Sequence, residues 1–298
     1  PILNSGNHSP ETALELLNSG DCDFIMFGRQ AIADPYFPKK LMENRREDVR
    51  PCILCNEECI GRIFDRLTQL SCAVNASAGF ENYMEIEETY EPKNIVVIGA
   101  GPAGLEAART AALKGHNVTV YEKHDFIGGI VKMVATAPFK KRLRELIDWY
   151  DVQLKKLGVK VVLGTEVKAD DPMLKAADHI IIATGSEPIM PAIKGIDNAN
   201  VVDVVEAHHK GISGKDVVIC GGGLSGCDAA LELAMKGKKV TVVEMLDECA
   251  RDAMPINRIS LMRMLAENNV TLMTNSKVVE ITSRGVMVEK QGGVREEI

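Results

Sequence analysis

Two glycine-rich turns constrain this chain more than any other feature. Gly99-Ala100-Gly101-Pro102-Ala103-Gly104 and Gly221-Gly222-Gly223-Leu224-Ser225-Gly226 each stand between a short apolar run and a stretch of helical periodicity. Each is answered by an acid that closes the next apolar run, Glu122 and Glu244. Strand, turn, helix, strand, acid is the order of a parallel βαβ unit built to hold a dinucleotide, here written twice. The first glycine permits the tight bend, the second lets the backbone approach a pyrophosphate, and the third lets the helix pack close to the strand. The helix then offers its free N–H groups and positive end to phosphate, and the acid is placed to accept from ribose hydroxyls. Candidate contacts are therefore Gly99, Gly101, Ala103, Gly104 and Glu122 in the first copy, and Gly221, Gly223, Gly226 and Glu244 in the second. No cation follows Glu244 directly in Met245-Leu246-Asp247, which favours NADH over NADPH; Arg251 is the one nearby basic residue that could reverse this.

Upstream of both turns lies a tight cysteine group, Cys52, Cys55, Cys59 and Cys72, in the spacing C-x2-C-x3-C-x12-C. Thiolates packed this closely repel one another and need a cation or cluster between them. A closed tetrahedral zinc site is one reading. Three cysteines within eight residues fit an iron–sulfur cluster better. Cys220 and Cys227 flank the second turn and read as small buried apolar residues. Such cysteine usage is not a disulfide framework and points to a reducing, cytoplasmic setting. His116, His124, His179, His208 and His209 show no triad or metal spacing, which leaves surface or capping roles.

The 298 residues have room for about two domains. A net charge of −7 argues against a nucleic-acid surface. No apolar run reaches bilayer length, and the first residues lack a signal peptide's charged leader and apolar stretch. Along the chain, residues 1–50 read as strand, helix, strand, helix: a strand end at 1–3, a helix capped by Ser9 with Pro10 in its first turn, and a buried strand at 23–27. Residues 51–90 are irregular and end in an acidic linker. Strands follow at 94–98, 117–122, 160–163 and, as another buried strand, 179–183, with helices at 103–114 and 139–157. The pattern restarts with strands at 216–220 and 239–243 around a helix at 224–236. A helix at 256–268 and β-rich pieces at 270–274, 277–282 and 285–290 complete it.

Asp34-Pro35 after Gly28-Arg29, then Cys-Ile-Leu-Cys-Asn-Glu-Glu-Cys, then Ser71-Cys72-Ala73-Val74-Asn75, then the first glycine turn, form an ordered set. In this order the chain resembles the 2,4-dienoyl-CoA reductase and 2-enoate reductase family, iron–sulfur relatives of old yellow enzyme. The resemblance implies an α/β architecture. Residues 1–50 would be the C-terminal end of an FMN-binding (β/α)8 barrel and 51–90 an iron-sulfur (4Fe-4S) segment. Residues 91–212 would be the first part of an FAD-binding domain, and 213–298 an incomplete NAD(P)H-binding domain, both Rossmann-like. Electrons would run from NADH through FAD and the cluster to FMN, and on to an activated C=C bond. Asn4-Ser5-Gly6 and Gly28-Arg29 match the loops that grip the FMN phosphate, and the four cysteines match the cluster ligands. Gly128-Gly129 matches a flavin-diphosphate turn, with Ile130 in place of a common glutamine. Lys140 matches a basic position after it, Val167 a backbone contact to adenine, and Ala183-Thr184-Gly185 a hinge between the FAD and NAD parts.

Set against that family, the chain looks like a fragment. It begins inside the seventh barrel strand and stops before the returning FAD segment, so residues 1–298 alone are expected to retain no FMN and reduce no enoate. The expected partner is a small-molecule enoate or enoyl-CoA substrate, without nucleic acid or membrane, and a homo-oligomer is compatible with this. An amine dehydrogenase or demethylase of the trimethylamine dehydrogenase type is the alternative within the superfamily. A nucleotide-binding module without turnover is the alternative outside it.

Overall fold

The computed structural model describes residues 1–6 and 8–298. The chain divides into two compact units, Pro1–Gly129 with Lys141–Thr184, and Ile130–Lys140 with Gly185–Ile298. The segments expected as 1–50 and 51–90 share one unit with the first dinucleotide sheet, and the segment expected as 91–212 is divided between the two. Among the described residues, no helix is long and apolar enough to cross a membrane.

The first unit opens with β1 (Leu3–Ser5), α1 (Pro10–Ser19) and β2 (Phe24–Met26). Ser9 caps α1 as expected: its Oγ accepts from Thr12 N at 3.3 Å, and its own N–H donates to Thr12 Oγ1 at 2.9 Å. The strand expected to be buried is not. β2 pairs with β1 alone, in parallel, leaving Phe24 58% and Met26 49% exposed. The single helix expected next is broken at Asp34-Pro35 into α2 (Arg29–Ala33) and α3 (Phe37–Met42), because a residue before proline avoids helical backbone. The cysteine segment holds only a π-turn at Glu57–Gly61 and the short α4 (Arg62–Phe64).

β3 (Asn94–Ile98), α5 (Pro102–Leu113) and β4 (Asn117–Tyr121) then form the expected βαβ unit. The chain passes through α6 (Gly129–Val134), which was not foreseen, and returns with α7 (Lys141–Lys156), β5 (Lys160–Val162), α8 (Pro172–Lys175) and β6 (His179–Ile182). The parallel sheet has the order β5-β4-β3-β6. Its core lies between sheet and helices, with Val97, Val120, Leu105 and Ala108 fully enclosed and α7 adding Ile147, Trp149 and Leu154. β6 corrects another expectation. It is an edge strand paired only with β3, and its Ile182 is 75% exposed. An apolar run cannot by itself tell an edge from a sheet centre.

The second unit contains α9 (Val204–Lys210), β7 (Asp216–Cys220), α10 (Leu224–Met235), β8 (Lys239–Val243), α11 (Pro255–Glu267) and β9 (Thr271–Met273). Its parallel sheet runs β7-β8-β9 over a core of Leu231, Val240, Val242 and Leu265. β10 (Ser276–Ile281), β11 (Val286–Lys290) and β12 (Arg295–Glu297) form a separate antiparallel sheet. β12 escaped the sequence because Arg-Glu-Glu has no apolar alternation; it pairs through Met287 and Glu297, with Arg295 Nη2 2.7 Å from Glu289.

Candidate functional site

The two glycine turns share one backbone plan. Gly99 and Gly221 have φ of +103° and +114°, a backbone region closed to most side chains. A Cβ on Gly104 would strike the Gly99 carbonyl oxygen, and one on Gly226 would strike that of Gly221. Helix and strand are that close. Gly101 and Gly223 differ in kind. Each precedes its helix in extended backbone (φ −72° and −65°), and an added Cβ would meet nothing within 4 Å. Nothing inside the protein requires glycine there, so the space belongs to a group arriving from outside. Neither helix has a side-chain cap, which leaves the first N–H groups of α5 and α10 available to phosphate.

The acids do more than the spacing suggests. Glu122 is 6% exposed; its Oε2 accepts from Ala100 N at 2.7 Å and its Oε1 from His124 N at 2.9 Å. Glu244 is 8% exposed and repeats this with Gly222 N at 2.6 Å and Leu246 N at 2.8 Å. Each carboxylate thus braces the turn it serves while its remaining lone pairs stay free for ribose hydroxyls. The second turn carries Gly222 where the first has Ala100 because a Cβ there would lie 2.6 Å from Cys249 Sγ. In the first unit Gly128 N donates to Ala100 O at 2.8 Å, and a Cβ on Gly129 would sit 3.1 Å from Gly101 Cα. Two glycine turns therefore meet where the first pyrophosphate would lie.

Cys52, Cys55, Cys59 and Cys72 line one small cavity together with Arg29 and Asn56. Burial pushes the Cys52 and Cys55 thiols up, against the N–H groups of Leu54 and Glu57 respectively, and for Cys52 also against the Arg29 charge. Leu54 and Asn56 adopt positive φ (60° and 61°), which turns the loop about these sulfurs. Among the described residues no three Cys, His, Asp or Glu side chains converge on a single metal ion. The four thiols thus face one small, enclosed cavity. Gln30 holds the loop from both sides, its Nε2 donating to Arg50 O at 2.8 Å and its Oε1 accepting from Cys52 N at 3.0 Å. Arg29, expected at a phosphate, donates from Nη1 to Asn56 Oδ1 at 2.5 Å on the wall of the cavity. Gly28 precedes it with open space where a side chain would be.

Residues 93–297 match the family described as pyridine nucleotide-disulphide oxidoreductase. The chain belongs to that family. It is 40% identical to an NADH oxidase of Thermoanaerobacter brockii over 98% of its own length and 46% of the relative's. It is 35% identical to a cinnamate reductase of Clostridium sporogenes, over 98% of its length and 44% of the relative's. A solved 2-naphthoyl-CoA reductase superposes on the whole chain with a TM-score of 0.95 at 37% identity, the chain covering 46% of that structure. The chain thus spans less than half the length of the relatives it matches, and it shares with them the flavin- and NAD(P)H-dependent oxidoreductase family.

In this pyridine nucleotide oxidoreductase, the remaining expected contacts are spread between the units. Val167 is half-buried on the loop after β5, just past Thr165, whose N donates to Glu122 O at 2.8 Å. Ile130 and Lys140 belong to the second unit. Lys140 is buried there, 2.5 Å from Asp228 Oδ2, and donates to Val134 O at 2.8 Å. Cys227 is buried as expected, with burial and then Cys249 pushing its thiol up to about 12, whereas Cys220 is exposed at the strand end. His208 corrects a surface expectation: it is buried, with Nδ1 2.8 Å from Glu232 Oε2. Sequence reading missed Glu232 as well, an acid on the inward face of α10 that only helix–helix packing reveals.

Proposed function

We propose that this chain is the electron-delivering part of an NADH-dependent reductase of activated C=C bonds, of the 2-enoate or enoyl-CoA class. The observation that carries this is the four-thiol cavity, which lies in the same compact unit as the first dinucleotide turn. Bound here, NADH would supply a hydride, and FAD and a 4Fe-4S cluster would supply the means to pass its electrons singly toward FMN. The chain's own residues hold and orient these groups. Gly99, Gly101, Gly104 and the α5 N-terminus suit the FAD pyrophosphate, with Gly129 closing on it. Gly223 and the α10 N-terminus suit that of NADH. Cys52, Cys55, Cys59 and Cys72 ligate iron, and the Leu54 and Glu57 N–H groups point at sulfur, which tunes a cluster's potential. Gly28 and Arg29 line a broad cleft with His8 and Phe27, which suits the FMN phosphate. Glu244 favours NADH, because a carboxylate facing a 2′-phosphate costs on the order of 1–3 kcal/mol, roughly ten- to a hundredfold in affinity. The names of the cinnamate and naphthoyl-CoA reductases support an unsaturated acid or thioester as substrate.

Anaerobically purified protein should contain about four irons and matching labile sulfide per chain. Stoichiometric zinc without iron would overturn the reading.

A further inference from the structure

Asp34, Arg50 and Asn75 are buried polar residues around the cysteine segment to which the function above gives no task. They form one network. Arg50 is 7% exposed; its N–H donates to Asp34 Oδ2 at 2.9 Å, and its Nη1 donates to Asn75 Oδ1 at 3.1 Å. Asn75 returns a bond from Nδ2 to Ile32 O at 2.9 Å, and Lys40 Nζ pairs with Asp34 at 2.7 Å. The same guanidinium lies 3.5 Å from Glu106 on α5 and 4.7 Å from the centre of the Trp149 ring on α7. Arg109, also on α5, sits over Trp149 at 5.2 Å and pairs with Glu106 at 3.1 Å. One side chain therefore ties the entry of the cysteine loop, two residues before Cys52, and its exit, three residues after Cys72, to the helix that begins at the first dinucleotide turn.

We propose that Arg50 is a positioning residue for electron transfer, fixing the cysteine cavity against α5 and so setting the distance and driving force between a flavin at the first turn and a cluster in the cavity. The proposal rests on the iron–sulfur reading above. Arg50, Arg109 and Lys40 against the Asp34 and Glu106 carboxylates leave the hub with net positive charge. An iron–sulfur core held by four thiolates is anionic and becomes more so on reduction, so positive charge anchored at the entry of its loop, two residues before Cys52, favours the reduced form. Rigid attachment matters for the same step, since electron transfer slows as donor and acceptor move apart. The electrons balance simply: NADH gives the flavin a hydride, two electrons with one proton. Without a further acceptor, one electron passes to the cluster and the other stays on the flavin.

The test mixes anaerobic holoprotein with NADH and follows flavin bleaching by stopped flow and cluster reduction by freeze-quench electron paramagnetic resonance. Arg50→Met should leave bleaching unchanged, slow cluster reduction severalfold, and move the cluster's midpoint potential negative. Arg50→Lys should slow the transfer but keep the potential. An iron-loaded Arg50→Met protein with wild-type transfer and potential overturns this proposal alone, whereas a wild type holding zinc overturns it together with the proposed function. If Arg50→Met loses iron, Glu106→Gln decides, because it leaves the loop's own bonds in place. Removal of that anion must raise the midpoint potential, and an unmoved potential overturns the proposal.

Discussion

At the scale of single residues, glycines of one motif do different jobs. Gly104 is demanded from inside, since a methyl group there meets the Gly99 carbonyl, while Gly101 faces open space. Gly104→Ala should therefore destabilise the protein by about 1–3 kcal/mol or more through overpacking against backbone. Gly101→Ala should change the stability of flavin-free protein by less than about 0.5 kcal/mol, yet weaken FAD binding roughly ten- to a hundredfold, about 1.4–2.8 kcal/mol. Denaturant unfolding of the flavin-free variants, paired with flavin titration, separates the two. Equal losses of stability at both positions would contradict the distinction.

At the scale of elements, the segment Ile130–Lys140 leaves the first half of the sequence to pack in the second unit. Its anchors there are polar. Thr136 Oγ1 donates to Glu232 Oε1 at 2.7 Å, Lys140 pairs with Asp228, and His208 of α9 faces Glu232 from the other side. Burial first, and then the Lys140 charge, hold the His208 imidazole below its ordinary value, against the opposing pull of Glu232 and Asp228. An imidazole that protonates less readily when folded contributes stability that is full above the unfolded value, near 6.5, and is lost as pH falls below it. Wild-type protein should thus lose stability as pH falls below about 6.5, and His208→Gln should lose less over the same range. Denaturant midpoints across that range check this, and identical slopes would count against it.

At the scale of the whole molecule, a βαβ unit with a glycine turn and a bracing acid occurs twice, once in each unit. The β1–β2 pair is a different matter. Two parallel strands neither close a barrel nor enclose a flavin, and Leu3, Phe24 and Met26 stay exposed. Residues 1–298 produced alone should lose FMN on desalting and leave cinnamate unreduced with NADH. Retained stoichiometric FMN with turnover would show that this strand pair suffices.

The sequence by itself determined the local designs: both turns, the acids that answer them, the Ser9 cap, the strands at 94–98, 216–220 and 239–243, and the cysteine spacing. Each is set by backbone geometry or chemistry acting over about twenty residues, where spacing alone carries the information. Only the tertiary structure decided which apolar strands are covered, because β2 and β6 read as buried runs and prove to be poorly paired or at an edge. It also decided that Ile130–Lys140 joins the second unit, that Glu122 and Glu244 brace their turns, that His208 is buried against Glu232, and that Arg50 binds the cysteine loop to α5. These are contacts between side chains far apart in sequence, and no periodicity or spacing encodes which distant partner a buried charge will find.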